Sequence, residues 1–170
     1  MKQSSILQGV APKGSVLQVV STTKTDTFSA STASEAFTAI TGLAATITPV
    51  ATSSTILVRV MLHASRDPGA GDAFFRMKRG ATVVGVGDAG SSRPQLTGAT
   101  LSSDVTDAIT GAGIEFEDSP STTSATTYSV ELFNSSLVTR NLYCNRTAGD
   151  SDNSSGARPI STITLMEVAG

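Results

Sequence analysis

Histidine and cysteine, the residue types that enzymes most often use for catalysis, each occur once in this chain, as His63 and Cys144. One thiol cannot form a disulfide within the chain, and there is no set of cysteines and histidines to hold zinc. Cys144 ends a short apolar run with Leu142 and Tyr143, which predicts a small buried hydrophobe. His63 is the only possible imidazole base, and it shares one predicted strand face with Arg59. No Gly-x-Ser-x-Gly turn accompanies it, so we expect a structural or surface histidine.

The carboxylates do not form a recognisable catalytic or metal-binding set. Asp150 and Asp152 have the spacing that opens a calcium-binding loop, but the glycine and glutamate that complete such a loop are missing. Glu115, Glu117 and Asp118 fall on the polar side of a short predicted strand, without a second carboxylate pair opposite them for glycoside hydrolysis. We therefore expect solvated turns, with adventitious calcium binding at Asp150 and Asp152 as the alternative. We expect no enzyme activity and no cofactor.

One glycine-rich segment, GVGDAG at residues 85–90, matches the dinucleotide-binding fingerprint letter for letter. That fingerprint functions only where a helix follows the last glycine, because the helix N-terminus holds the pyrophosphate. Here the sequence Ser-Ser-Arg-Pro follows instead. The segment therefore predicts a turn that ends a strand.

The basic residues Arg76, Lys78 and Arg79 form one cluster in a chain whose formal net charge is −2. Nucleic-acid binders normally carry a broad basic patch, because phosphate contacts dominate their affinity. Arg76 and Lys78 share one face of a predicted strand, so we interpret the cluster as the solvated side of that strand. We expect no nucleic-acid partner.

The composition predicts that β-strands, and not helices, position the candidate residues described above. Charged residues make up 15% of the chain and tryptophan is absent, which excludes the Glu/Lys/Leu-rich heptads of a coiled coil. Serine and threonine are abundant, and they disfavour a helical bundle. The segment 56–64 alternates apolar even positions with the mixed odd positions Leu57, Arg59, Met61 and His63, as a half-buried strand does.

Similar runs predict nine or ten strands, which need two packed sheets to bury their apolar faces. The predicted fold is all-β: a two-sheet antiparallel β-sandwich, jelly-roll-like, in a single domain spanning residues 14–170. Residues 31–40 have the composition for one helical turn. The predicted strands lie at residues 16–20, 43–47, 56–64, 73–78, 82–86, 114–117, 127–133, 138–144 and 160–168.

Residues 1–13 predict an N-terminal arm that precedes the domain. They lack the apolar stretch of a signal peptide, and no segment approaches 18 apolar residues, so we expect a protein made in the cytoplasm without a membrane partner.

Five stretches of the sequence, in order, resemble a β-rich module found in virion structural proteins of tailed bacteriophages, notably those that infect cyanobacteria and marine bacteria. The resemblance runs from about Gly14 to Val168. The stretches are residues 14–29 (GSVLQVVSTTKTDTFS), 46–60, 86–89 (VGDA), 118–128 (DSPSTTSATTY) and 160–168 (ISTITLMEV).

This resemblance implies a homotrimer on the virion surface, most often as the last domain of a fibre-like protein, and it carries over no catalytic residues. A fibre protein usually has a long shaft before the module, whereas 13 residues precede it here. The resemblance therefore implies a detached head group, docked through the arm on another virion protein, or seated directly on the capsid. Leu57 and Met61 either meet a neighbouring subunit or belong to a second core of the monomer.

We expect a tail-fibre or knob protein that takes part in host attachment by contacting a cell-surface receptor through its loops. The alternative is a capsid decoration protein that cements the head, which the scarcity of Tyr and Trp for stacking on sugars favours. The candidate contact loops are residues 66–72, 87–96 and 149–158. Their candidate contact residues are Arg66, Asp67, Asp72, Asp88, Arg93, Asp150, Asp152 and Arg158.

Overall fold

A computed structural model describes residues 11–69, 71–100 and 105–170 of the chain. These residues form eleven β-strands and no helix. The strands are β1 (Val16–Lys24), β2 (Phe28–Thr32), β3 (Phe37–Ile47), β4 (Thr55–Arg66), β5 (Ala73–Arg79), β6 (Thr82–Val84), β7 (Gly98–Thr100), β8 (Thr110–Asp118), β9 (Thr126–Asn134), β10 (Arg140–Cys144) and β11 (Ser161–Val168).

The strands pair into two antiparallel sheets, which confirms the predicted all-β sandwich. In the first sheet, β1 pairs with β11, β11 pairs with β4, and β8 pairs with the other edge of β4. β10 and then β2 extend this sheet beside the C-terminal end of β4. In the second sheet the order is β3, β9, β5, and both β6 and β7 pair with the remaining edge of β5.

The core lies between the two sheets, and β4 shows how the sequence builds it. Ile56, Val58 and Leu62 are completely buried. They belong to one apolar cluster with Phe75 and Leu132 of the second sheet. Because side chains alternate along a strand, the odd residues of β4 face away from this core. The alternation predicted for residues 56–64 is therefore confirmed.

The sandwich has two distinct ends. At one end, the Gly14 amide donates a hydrogen bond to the Ala169 carbonyl at 2.8 Å, beside the start of β4 at Thr55, which pairs with Val168. β4 then runs for 12 residues, or about 40 Å. It ends at Arg66, where the loop to β5 begins. Gly14 and the start of the β4–β5 loop are therefore at opposite ends.

Some local predictions were wrong. Residues 31–40 contain no helical turn, because β2 ends at Thr32 and β3 begins at Phe37. The strand expected at residues 138–144 begins at Arg140, and β2 and β7 were not predicted at all. Of the predicted arm, residues 1–10 lie outside the described residues, and residues 11–13 form no strand.

Candidate functional site

The outer face of the first sheet is open and partly apolar. The register places Leu57 of β4 beside Met166 of β11, and Met166 beside Val19 of β1. Val19 is 56% exposed and Met61, also on β4, is 45% exposed. The structure thus decides one open question about Leu57 and Met61: they face away from the core of their own chain.

A groove of about 570 Å³ runs across this face. Its lining includes Met61, Gly113, Thr162 and Met166. Met61 pairs with Gly113 of β8, and a Cβ placed on that glycine would lie 3.4 Å from the Met61 methyl group. The groove exists because β8 carries no side chain where its neighbour carries a large one.

Charges of both signs border the groove. Arg59 and Glu115 are directly paired on β4 and β8, and their closest side-chain atoms, Nε and Oε2, are 4.0 Å apart. Their side chains are 68% and 52% exposed, so this ion pair is largely solvated and contributes little to stability. Glu117 lies on the same face, beside Leu57.

The outer face of the second sheet is filled by its own side chains. The Arg76 guanidinium lies 3.4 Å from the centroid of the Phe37 ring, and its Nε donates to Glu131 Oε2 at 2.7 Å. Lys78 Nζ is 3.5 Å from the other Glu131 oxygen. Arg79 points the opposite way and pairs with Asp118 at 2.7 Å. Every cation of the predicted basic cluster is thus paired with a carboxylate.

Asp118 also corrects a prediction. It does not lie with Glu115 and Glu117 on the polar side of β8, because side chains alternate along a strand and Asp118 shares the inward face with Phe116. On that face Tyr128 donates to Asp118 Oδ2 at 2.6 Å. Burial and this carboxylate raise the pKa of Tyr128. Asp118 is therefore a structural group that ties β8 to the second sheet.

The loop at residues 66–72 is built around Asp67. The Tyr143 hydroxyl donates to Asp67 Oδ1 at 2.6 Å, and the Asn141 amide donates to Oδ2 at 2.9 Å. Burial opposes ionisation of Asp67, but these hydrogen bonds outweigh it and lower its pKa. Burial and Asp67 together raise the pKa of Tyr143 to about 12. Asp72 is half-buried. Arg66 is only 4% exposed, so it supports the loop from inside and is not part of a contact surface.

The loop at residues 149–158 is held by ion pairs on Asp150. Arg158 donates to both Asp150 oxygens, at 3.0 and 2.8 Å, and Arg146 Nη1 lies 3.7 Å from Oδ2. The hydrogen bond from Arg158 is the main cause of the lowered pKa of Asp150. The carboxylate of Asp150, for which calcium binding was the alternative prediction, is thus paired with two guanidinium groups. Asp152 is exposed in the same loop.

The connection at residues 87–96 leaves and rejoins the second sheet at its free edge. Gly90 and Arg93 form an isolated bridge, and no helix follows Gly90, as the interpretation of this segment as a turn predicts. Asp88 and Arg93 are both exposed. The structure does not bring this connection to the end of the sandwich where residues 66–72 lie, so the three candidate loops do not form one continuous site.

Sequence analysis missed a rigid apolar loop between β9 and β10. Asn134 is 1% exposed, and its side-chain amide donates to three backbone carbonyls, those of Thr32, Ala33 and Val138. This network presents Leu137, which is 83% exposed. The sequence signal that could have predicted this loop is the Asn-Ser-Ser turn that follows the strand.

His63 and Cys144, which belong to the two residue types most often used in catalysis, both make contacts within the fold. His63 Nδ1 is 2.7 Å from the Ile160 carbonyl oxygen. Cys144 is completely buried, as predicted, and burial raises the pKa of its thiol. Among residues 11–69, 71–100 and 105–170 there is no group of three His, Cys, Asp or Glu residues that could hold a metal ion. No helix in that part of the chain is long and apolar enough to cross a bilayer.

No protein-family model matches the chain, and no curated protein sequence matches it.

Proposed function

We propose that this protein is a non-enzymatic structural component of the bacteriophage particle surface. In this proposal it is a fibre or knob head group that takes part in host attachment, it forms a homo-oligomer, and its N-terminal segment docks it on another virion protein. The resemblance of residues 14–168 to phage virion modules is one support. The fold supplies a second, independent one.

The observation that carries the proposal is the two-ended sandwich. Gly14, the first residue after the predicted arm, is hydrogen-bonded to Ala169 at one end, and the β4–β5 loop lies about 40 Å away at the other. A head group docked through its N-terminal segment would therefore present this loop outward. Hydrogen bonds to Asp67 hold the start of this loop in place, and residues that are already ordered lose little conformational entropy on binding a receptor.

Capsid decoration is the second candidate, and one observation favours it. Tyr128 is completely buried and Tyr143 is 8% exposed, in a chain without tryptophan. Neither tyrosine is available to stack on a sugar ring, the usual aromatic contribution to glycan contact. A decoration protein has no need of such a platform, because its contacts are with the capsid lattice.

Labelled antibodies raised against the folded domain test the location. On particles of the phage that encodes this chain, we expect label on the tail or on projecting spikes. Uniform labelling of the head would reject the fibre proposal in favour of decoration. Absence of label from purified, intact particles and from disrupted ones would reject a place in the virion altogether.

A truncation that starts at Gly14 tests the docking segment. We expect this variant to melt at the temperature of the full chain, because the first strand begins after Gly14, at Val16, yet to be missing from assembled particles. Incorporation at the level of the full chain would show that docking does not use residues 1–13. The purified full chain should also slow phage adsorption to host cells if it is a fibre tip, whereas a decoration protein should not.

A further inference from the structure

The side chains on the two outer faces of the sandwich differ in how closely they are paired with other side chains of the same chain. On the second sheet, Arg76 and Glu131 form a close ion pair whose side chains are 23% and 13% exposed, and Arg76 covers the Phe37 ring. On the first sheet, Arg59 and Glu115 stand 4.0 Å apart with more than half of each side chain exposed. The open face of the molecule is therefore that of the first sheet.

The chemistry of this open face narrows the possible occupants. Its outward residues on β1, β11, β4 and β8 follow from the strand register, and no Phe, Tyr or Trp is among them. Without one of these rings the face lacks the usual stacking platform for glycans. The carboxylates of Glu115 and Glu117 repel a phosphate backbone.

A second copy of the chain fits the same features. Arg59 and Glu115 place opposite charges on neighbouring strands at one level, so the face is electrostatically complementary to itself. The groove beside Gly113 can receive an apolar side chain such as Met61, which projects from the same face. A self-complementary surface of exposed apolar side chains, small residues and mixed charges is what a two-fold homodimer requires.

We infer that the outer face of the first sheet is the interface through which copies of this chain pack, with Met61 at its centre and Arg59 opposite Glu115 of the partner subunit. This inference rests on the homo-oligomer of the proposed function and adds the surface that makes it. The loops at residues 66–72 and the rigid Leu137 loop remain outside this interface, free for other partners.

The test is the mass of the full chain in solution, measured by light scattering and by sedimentation over a range of concentrations. We expect a dimer, at twice the 17.3 kDa of one chain, because a face that packs on its own copy forms a two-fold contact. Met61→Glu places a charge in the interface, and we expect the dissociation constant to rise by at least about 100-fold. Leu137→Glu is the matched control, because it adds the same charge at an exposed apolar site off this face, and it should leave the mass unchanged.

Charge exchange gives a second measurement. Arg59→Glu should weaken association, since it leaves three glutamates together on the face, and Arg59→Glu combined with Glu115→Arg should restore it. Circular dichroism and the melting temperature show that each variant is folded. A wild-type chain that is monomeric at every concentration would overturn the inference, and so would a folded Met61→Glu chain that associates like Leu137→Glu. A folded double variant that stays dissociated would overturn the charge pairing.

The two sets of outcomes can be told apart. A wild-type chain that stays monomeric would contradict both this inference and the homo-oligomer of the proposed function, whereas a folded Met61→Glu chain that associates like Leu137→Glu would overturn the interface alone. Neither result would move the antibody label, and absence of label from the particle would not change the mass in solution.

Discussion

Glu167 is a completely buried carboxylate, and its replacement by glutamine tests how the end of the sandwich near Gly14 is held together. Its Oε1 accepts a hydrogen bond from the Val50 amide at 2.7 Å, and its Oε2 accepts one from the Gln18 side chain at 2.6 Å. One side chain on β11 thereby fixes both the β3–β4 loop and β1.

The expected loss follows from these two bonds. Hydrogen bonds to a charged group contribute about 1.5–3 kcal/mol each, and a buried donor left unpaired costs about 1–3 kcal/mol. In Glu167→Gln one oxygen remains, but the amide nitrogen must face either Val50 or Gln18, both of which donate. We therefore expect the free energy of unfolding to fall by about 2–4 kcal/mol. That is a large share of the roughly 5–15 kcal/mol of a typical domain.

The contribution of Glu167 to the free energy of unfolding should also depend on pH. Burial opposes ionisation of Glu167, but its hydrogen bonds outweigh burial and lower its pKa. A lowered folded-state pKa stabilises the protein above the unfolded pKa, and that contribution is lost as pH falls through the folded value. The difference between wild type and Glu167→Gln should thus be largest near pH 7 and shrink below about pH 4.

Urea unfolding followed by circular dichroism, at one fixed protein concentration and at several pH values, measures both effects. The control is Glu35→Gln, the same change at an exposed carboxylate, which should alter stability by less than about 0.5 kcal/mol. The reasoning is refuted if Glu167→Gln is as stable as Glu35→Gln, or if its deficit is the same at pH 3 as at pH 7.

Two further predictions concern close contacts and the buried thiol. Gly85 and Gly80 both have positive φ, 60° and 57°, but a Cβ on Gly85 would lie 2.6 Å from the Phe116 ring while one on Gly80 meets nothing within 4 Å. We expect Gly80→Ala to lower the free energy of unfolding by about 1 kcal/mol, from backbone strain alone. Gly85→Ala should lower it by about 2 kcal/mol more, because its methyl group would overpack against Phe116. Thermal or urea unfolding measures both losses, and equal losses would contradict the Phe116 contact. Cys144 should react with a thiol reagent only as fast as the chain opens, since it is buried with a raised pKa, and fast labelling of the native protein at pH 8 would contradict its burial.

The sequence by itself determined the fold class, because a period of two is visible in residues alone. The even positions of residues 56–64 are apolar and the odd ones mixed, and β4 buries the first set and exposes the second. Cys144 likewise followed from its apolar neighbours. The short strands β2 and β7 were not predicted. β7 consists of Gly, Ala and Thr, and in β2 only small residues follow Phe28, so neither carries a clear hydrophobic alternation and both become strands only through their partners.

Only the tertiary structure decided which polar groups are paired and which face is open. Asp118 shares the inward face of β8 with Phe116 by alternation, but its partners Arg79 and Tyr128 lie on other strands. Arg66 stands among candidate contact residues yet is buried. Such outcomes depend on strands that are distant in sequence. For the same reason the sequence left Met61 undecided between a core and a neighbour: alternation shows that a side chain lies on the second face of its strand, but only the packing of the sheets shows whether that face is covered.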